Sequence, residues 1–94
     1  MNTFLIERAV PAAFRYEEAA EVARHCRWAS DAYRSVGAMW LGGVVTDQGM
    51  FGLATAESEA DLERYRSALG IAESDMTVRR VLRALGPFLA APRT

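Results

Sequence analysis

The stretch GAMWLGGVVTDQGMFGLATA, residues 37–56, decides how this chain folds. It reads as two strands, residues 38–46 and 50–56, joined by a tight turn at Asp47, Gln48 and Gly49. Paired runs of Val, Met, Phe, Trp and Leu around a short Asp/Gly-bearing connection are the local signal for an antiparallel hairpin. On a strict two-residue period Met39, Leu41 and Val45 share one face of the first strand, and Trp40 and Val44 the other. In the return strand Met50 and Ala54 oppose Phe51 and Leu53. A sheet with one face in water should alternate apolar with polar residues. This hairpin does not, so it predicts a sheet covered on both sides.

Working outward, residues 3–10 read as a first strand carrying Phe4, Leu5, Ile6 and Val10, with Pro11 removing a backbone donor at its end. The period then becomes helical over residues 15–36. Ala19, Val22, Ala23, Cys26, Ala29, Ser30, Tyr33 and Val36 recur at steps of three and four, and Gly37 stands where a C-terminal cap belongs. Glu17, Glu21, Arg24, Trp28 and Asp31 fall on the opposite, polar face. After the hairpin, Ser58 with Asp61 three residues on resembles a capping box. It opens a second helix over residues 58–69, with Leu62, Tyr65 and Leu69 as its apolar stripe and Gly70 as terminator. Residues 76–85 fit either a helix capped by Asp75 or a strand. We read them as a strand, because it completes a split βαβ unit. Residues 86–94 then form a C-terminal arm whose Phe88 and Leu89 pack on the body or on a partner.

The order β, α, β, β, α, β predicts an α+β fold, the ferredoxin-like βαββαβ plait, with a four-stranded antiparallel sheet and two helices on one face over residues 1–85. Its second sheet face is open and apolar. Face-to-face association about a two-fold axis covers such a face, giving a homodimer built as a dimeric α/β barrel. Size argues the same way: a chain of 94 residues buries only about 60 to 65% of its unfolded surface on its own.

Charge and cysteine content narrow the partners. With 11 basic residues against 12 acidic, the net charge is -1, so no global field draws the chain to nucleic acid or a membrane surface. All the basic residues are Arg, which points to codon supply and not to a site. The single Cys26 excludes an internal disulfide and favours a reducing cytoplasm. No signal peptide or membrane span is visible.

Three segments, FLIERAVP (4–11), SVGAMWL (35–41) and FGLATAESEADLERYRSALGI (51–71), resemble the small bacterial nickel-binding-protein-like family. The resemblance implies a ferredoxin-like dimer and nickel binding in at least some members. In the family's pattern the third strand carries Cys and Glu where this chain has Gly52 and Thr55, and the second helix carries His where this chain has Tyr65. Only Glu7 is retained. Divalent nickel takes imidazole, thiolate or carboxylate donors, so no cofactor is expected here. If a metal binds, Glu7 and His25 are the candidate ligands.

Gly42, Gly43 and Gly52 lie within strands, where Gly leaves room for a bulge, a close approach or a ligand. Flanked by Met39, Trp40, Met50 and Phe51, and with Thr55 and Tyr33 nearby, they outline an apolar pocket for a small apolar or aromatic organic molecule. Glu7, facing an interior, would be a general base of raised pKa, with Tyr65 or Tyr33 donating a hydrogen bond to a substrate oxygen. Alternatively Glu7 pairs with Arg8, Arg79 or Arg80 across strands. His25 reads as a solvated helix residue or ion-pair partner, Cys26 as an inert small hydrophobe, and Trp28 as a surface aromatic or an oligomer contact. Arg79, Arg80 and Arg83 read as an edge-strand device against aggregation. These residues lead to a small-molecule-binding homodimer, acting as an accessory biosynthetic enzyme of the cyclase, isomerase or cofactor-free oxygenase kind. A nickel-binding protein and a structural or regulatory dimer without ligand are the alternatives.

Overall fold

Residues 1–86 are described by a computed structural model of the chain. β1 (Asn2–Arg8) is followed by α1 (Ala19–Arg34), the hairpin β2 (Met39–Thr46) and β3 (Gly49–Ala56), α2 (Glu59–Ala68), a 3-10 turn (Glu73–Asp75) and β4 (Met76–Arg80). The strands form one antiparallel sheet in the order β2-β3-β1-β4. That order, with both helices on one face, is the ferredoxin-like βαββαβ plait.

The core lies between sheet and helices. Phe4 and Ile6 of β1, Ala54 and Ala56 of β3, and Met76 of β4 meet Tyr33 of α1 and Leu62 and Tyr65 of α2. Small residues in the central strand let α2 sit close, and Leu62 is fully buried there. Asp61 supplies the carboxylate half of the capping box, accepting the Ser58 amide at 3.4 Å.

A bulge decides which side chains of β2 face the helices. Trp40 pairs with Ala54 but Gly42 pairs with Leu53, leaving Leu41 as an extra residue. Such an insertion reverses the facing of everything beyond it. Gly42 takes φ +125, a conformation that a side chain resists. The strict period therefore fails for this strand. Trp40, Gly43 and Val45 face the helices, whereas Met39 and Val44 face outward across from Thr55 and Phe51.

Helix α1 begins four residues later than its periodicity predicts. Two turns precede it, closed by Phe14 N–H to Pro11 O at 3.0 Å and Glu18 N–H to Arg15 O at 3.1 Å. These satisfy the backbone locally, and Phe14 turns toward the sheet while the largely exposed Tyr16 borders the cleft from its solvent side. Residues 76–80 are a strand, but it ends five residues short of the predicted boundary. After Val81 donates to Thr3 O at 2.8 Å, β1 has no further partner groups to offer, since it starts at Asn2. The arm residues Phe88 and Leu89 lie outside the described residues.

Candidate functional site

Helix α1 meets the sheet unevenly. Ala29 and Tyr33 in its C-terminal half are buried, whereas Ala19 and Ala23 near its start are exposed. Beneath the early turns a cleft of about 370 Å³ remains. The sheet contributes Ile6, Arg8, Trp40, Gly43, Val45, Met50 and Gly52 to it. Helix α1 contributes Val22, His25, Cys26 and Tyr33, α2 contributes Tyr65, and the preceding turns contribute Phe14 and Tyr16.

Local geometry makes this cleft aromatic. Tyr33 and Tyr65 stack with ring centroids 3.9 Å apart and planes within 14°, joining the two helices. His25 stacks on Phe14 at 4.5 Å, lies 5.7 Å from Trp28 and meets Trp40 edge-on at 6.5 Å. The indole lies directly over Gly52: a Cβ there would sit 3.4 Å from Trp40 Nε1 and from the Gly42 carbonyl, the near limit of ordinary contact. Trp28, on the polar face of α1, is thereby explained as the outer member of an aromatic cluster.

One imidazole and two phenols of the cleft are held neutral. Burial, followed by the positive charge of Arg8, lowers the pKa of His25 below 6.5. Burial raises the phenols of Tyr33 and Tyr65, and in Tyr33 the neighbouring Tyr65 adds to the effect. At neutral pH the cleft therefore offers an imidazole able to accept a proton and two phenolic donors. Among the described residues, Arg8 is the one ionised side chain lining it, and no Asp or Glu does. The Arg8 Nε is shut off from water and has no hydrogen-bond partner among the described residues. Leaving a buried donor unmet typically costs about 1–3 kcal/mol, more when the group is charged.

Several residues chosen from the sequence meet here, and others do not. Trp40, Gly52, Met50, Tyr33 and Tyr65 all line the cleft. Met39 and Thr55 pair with each other on the opposite sheet face. Glu7 faces that way too, because Phe4 and Ile6 flank it on the covered side. Its carboxylate lies 3.6 Å from the Arg79 guanidinium, so the cross-strand ion pair is the arrangement found. Both partners are substantially exposed, and such a pair is worth roughly 0–1 kcal/mol. Glu7 and Tyr65 therefore stand on opposite sides of the sheet and cannot act on one substrate within a chain. Arg79 and Arg80 occupy the edge strand β4, where Arg80 also donates to Asn2 Oδ1 at 3.1 Å.

The same separation bears on nickel. Glu7 and His25 cannot ligate one ion within a chain, because the sheet lies between them. Among the described residues, no three His, Cys, Asp or Glu side chains gather as a metal site. The donors do not fit the group.

His25, read from the sequence as solvated, is a half-buried wall of the cleft. Arg8, Phe14 and Tyr16 are further lining residues that the sequence reading did not place there. Arg8 had a signal: the two-residue spacing Phe4, Ile6, Arg8 puts it on the core face. Phe14 and Tyr16 had none, because their positions depend on turns that periodicity does not show.

In comparisons with known proteins, the chain matches no family model, no curated protein and no solved structure. Among the described residues no helix is long and apolar enough to cross a membrane.

Proposed function

We propose that this chain is a small-molecule-binding domain whose ligand, an apolar or aromatic organic molecule, occupies the cleft between sheet and helices. The observation that carries this reading is the 370 Å³ aromatic-walled cleft, a size typical of small-ligand sites. It survives in a chain too small to waste packing space, where a void left unfilled forfeits dispersion contacts. A role as an accessory biosynthetic enzyme, working in the cytoplasm as a cyclase, isomerase or cofactor-free oxygenase, fits the same groups. His25 would take a proton, and the Tyr33 and Tyr65 phenols would donate to a developing oxyanion.

Homodimerisation through the open sheet face belongs to the same proposal. Met39 and Val44 are 59% and 61% exposed there, beside the half-exposed Leu5, Phe51 and Leu53. A second copy offers the same patch and covers it by two-fold symmetry.

The test of the cleft is a titration with the neutral fluorophore N-phenyl-1-naphthylamine. Saturable enhancement is expected in the wild type. Gly52→Val should weaken it by about tenfold or more, since the new side chain takes the space beside Trp40, while β-branching suits the strand. No enhancement, or enhancement indifferent to Gly52→Val, would place any binding elsewhere and end this reading.

A further inference from the structure

Among the described residues, Arg8 differs from the arginines that find a carboxylate. Arg15, Arg24, Arg34, Arg64 and Arg79 each reach a carboxylate at the surface, where water already solvates them and pairing contributes little, and the more sheltered Arg66 reaches Glu63. Arg8 has its Nε withdrawn from solvent with no hydrogen-bond partner among the described residues, and its guanidinium meets a neutral phenol, Tyr65, where the others meet a carboxylate. A guanidinium cannot escape burial by losing its proton. Its position is also fixed: Arg8 pairs with Met50 on one side and Met76 on the other, and it follows Phe4 and Ile6 on the helix-facing side of β1. Among the described residues nothing acidic lines the cleft to answer it.

We infer that the ligand of this cleft carries a carboxylate, which Arg8 holds through a charge-assisted, two-pronged hydrogen bond while the aromatic walls take its ring system. This rests on the small-molecule reading above and adds the class of ligand to it: a planar aromatic acid. The planar fork of a guanidinium matches the two oxygens of a carboxylate. One cation suits a monoanion better than a dianionic phosphate, because His25 beside it is held neutral by burial and by Arg8 itself. Phe14, Trp40 and the Tyr33–Tyr65 stack offer flat apolar surface to the rest of such a molecule.

The probes are 2-naphthoate and its neutral counterpart 2-naphthalenemethanol, titrated by calorimetry into the full chain. Wild type should bind the acid at least about tenfold more tightly than the alcohol, the difference that a charge-assisted hydrogen bond commonly makes. Arg8→Gln should bring the two within about twofold by weakening the acid alone. Arg8→Lys should keep part of the preference, and Arg34→Gln, on the outer surface of α1, all of it. Equal binding of acid and alcohol by wild type overturns the carboxylate inference and leaves the cleft reading standing. Binding of neither overturns both. Should Arg8→Gln fail to fold, the wild-type comparison and the Arg8→Lys variant still decide the matter.

Discussion

The two faces of the sheet are drawn from the same four strands and both carry apolar residues, yet they have different fates. On the covered face Phe4, Ile6, Ala54, Ala56 and Met76 disappear beneath the helices. On the other, Met39 and Val44 remain largely exposed. The difference lies in size as much as in polarity. Gly52, Ala54 and Ala56 present a low floor on which helices can pack closely, and where α1 does not reach that floor a cleft is left. Chain connectivity settles the side, since crossovers between parallel strands of one sheet are right-handed in nearly every protein, a preference that brings α1 and α2 to one face. An apolar strand residue in this fold is thus core on one side and exposed surface on the other.

Substitution on the covered face should produce the largest effect. Leu62→Ala removes a fully buried side chain and should destabilise the chain by about 2–5 kcal/mol in urea unfolding. A loss below 1 kcal/mol would mean that α2 is not packed as described. The open face should respond differently. Val44→Asp should leave subunit stability within about 0.5 kcal/mol, as an exposed substitution does, while abolishing dimer formation in sedimentation equilibrium. If wild type and variant sediment with the same mass, that face is not the interface.

A smaller effect sharpens the comparison within the covered face. His25 titrates below its ordinary 6.5 in the folded chain, so the unfolded chain binds its proton more readily. The stability linked to His25 is present above pH 6.5 and is lost as pH falls from there through the folded value. Urea unfolding between about pH 7.5 and pH 5.5 should show a loss in wild type that His25→Gln reduces. The carboxylates with lowered pKa belong to a separate window. Glu21, Asp61 and Glu63 are depressed mainly by hydrogen bonds from Arg24, Arg64 and Arg66, from ordinary values of 4.5, 3.8 and 4.5. Their contributions persist until more acidic conditions. An unchanged slope in His25→Gln would show that the imbalance of proton binding lies elsewhere.

Much of the candidate site was legible because it sits on regular elements. Trp40, Met50 and Gly52 follow from the hairpin, and Tyr33 and Tyr65 from two helical stripes that must face the same sheet. The failures trace to three particular causes. Met39 and Thr55 went to the other face because every strand of an apolar sheet offers two equivalent sides. Val45 and Val44 exchanged sides because one extra residue at Leu41 shifts the two-residue period; the adjacent glycines hinted at a bulge but not at its place. Glu7 was drawn into the site by its isolation in an apolar strand, although the spacing from Phe4 and Ile6 already gave the inward position to Arg8.

The sequence by itself determined the order of elements, the hairpin and its turn, the capping of α2 and the presence of more apolar strand surface than one layer of helices can cover. These are consequences of local periodicity and backbone chemistry, which act over a few residues. Tertiary structure alone decided that α1 stands off the sheet at its N-terminal half, that Phe14, His25 and Trp40 meet, and that Arg8 lies among them without a carboxylate. Those facts depend on contacts between residues far apart in the chain. Such contacts are set by how the helices settle on the sheet, which no periodicity in a single segment records.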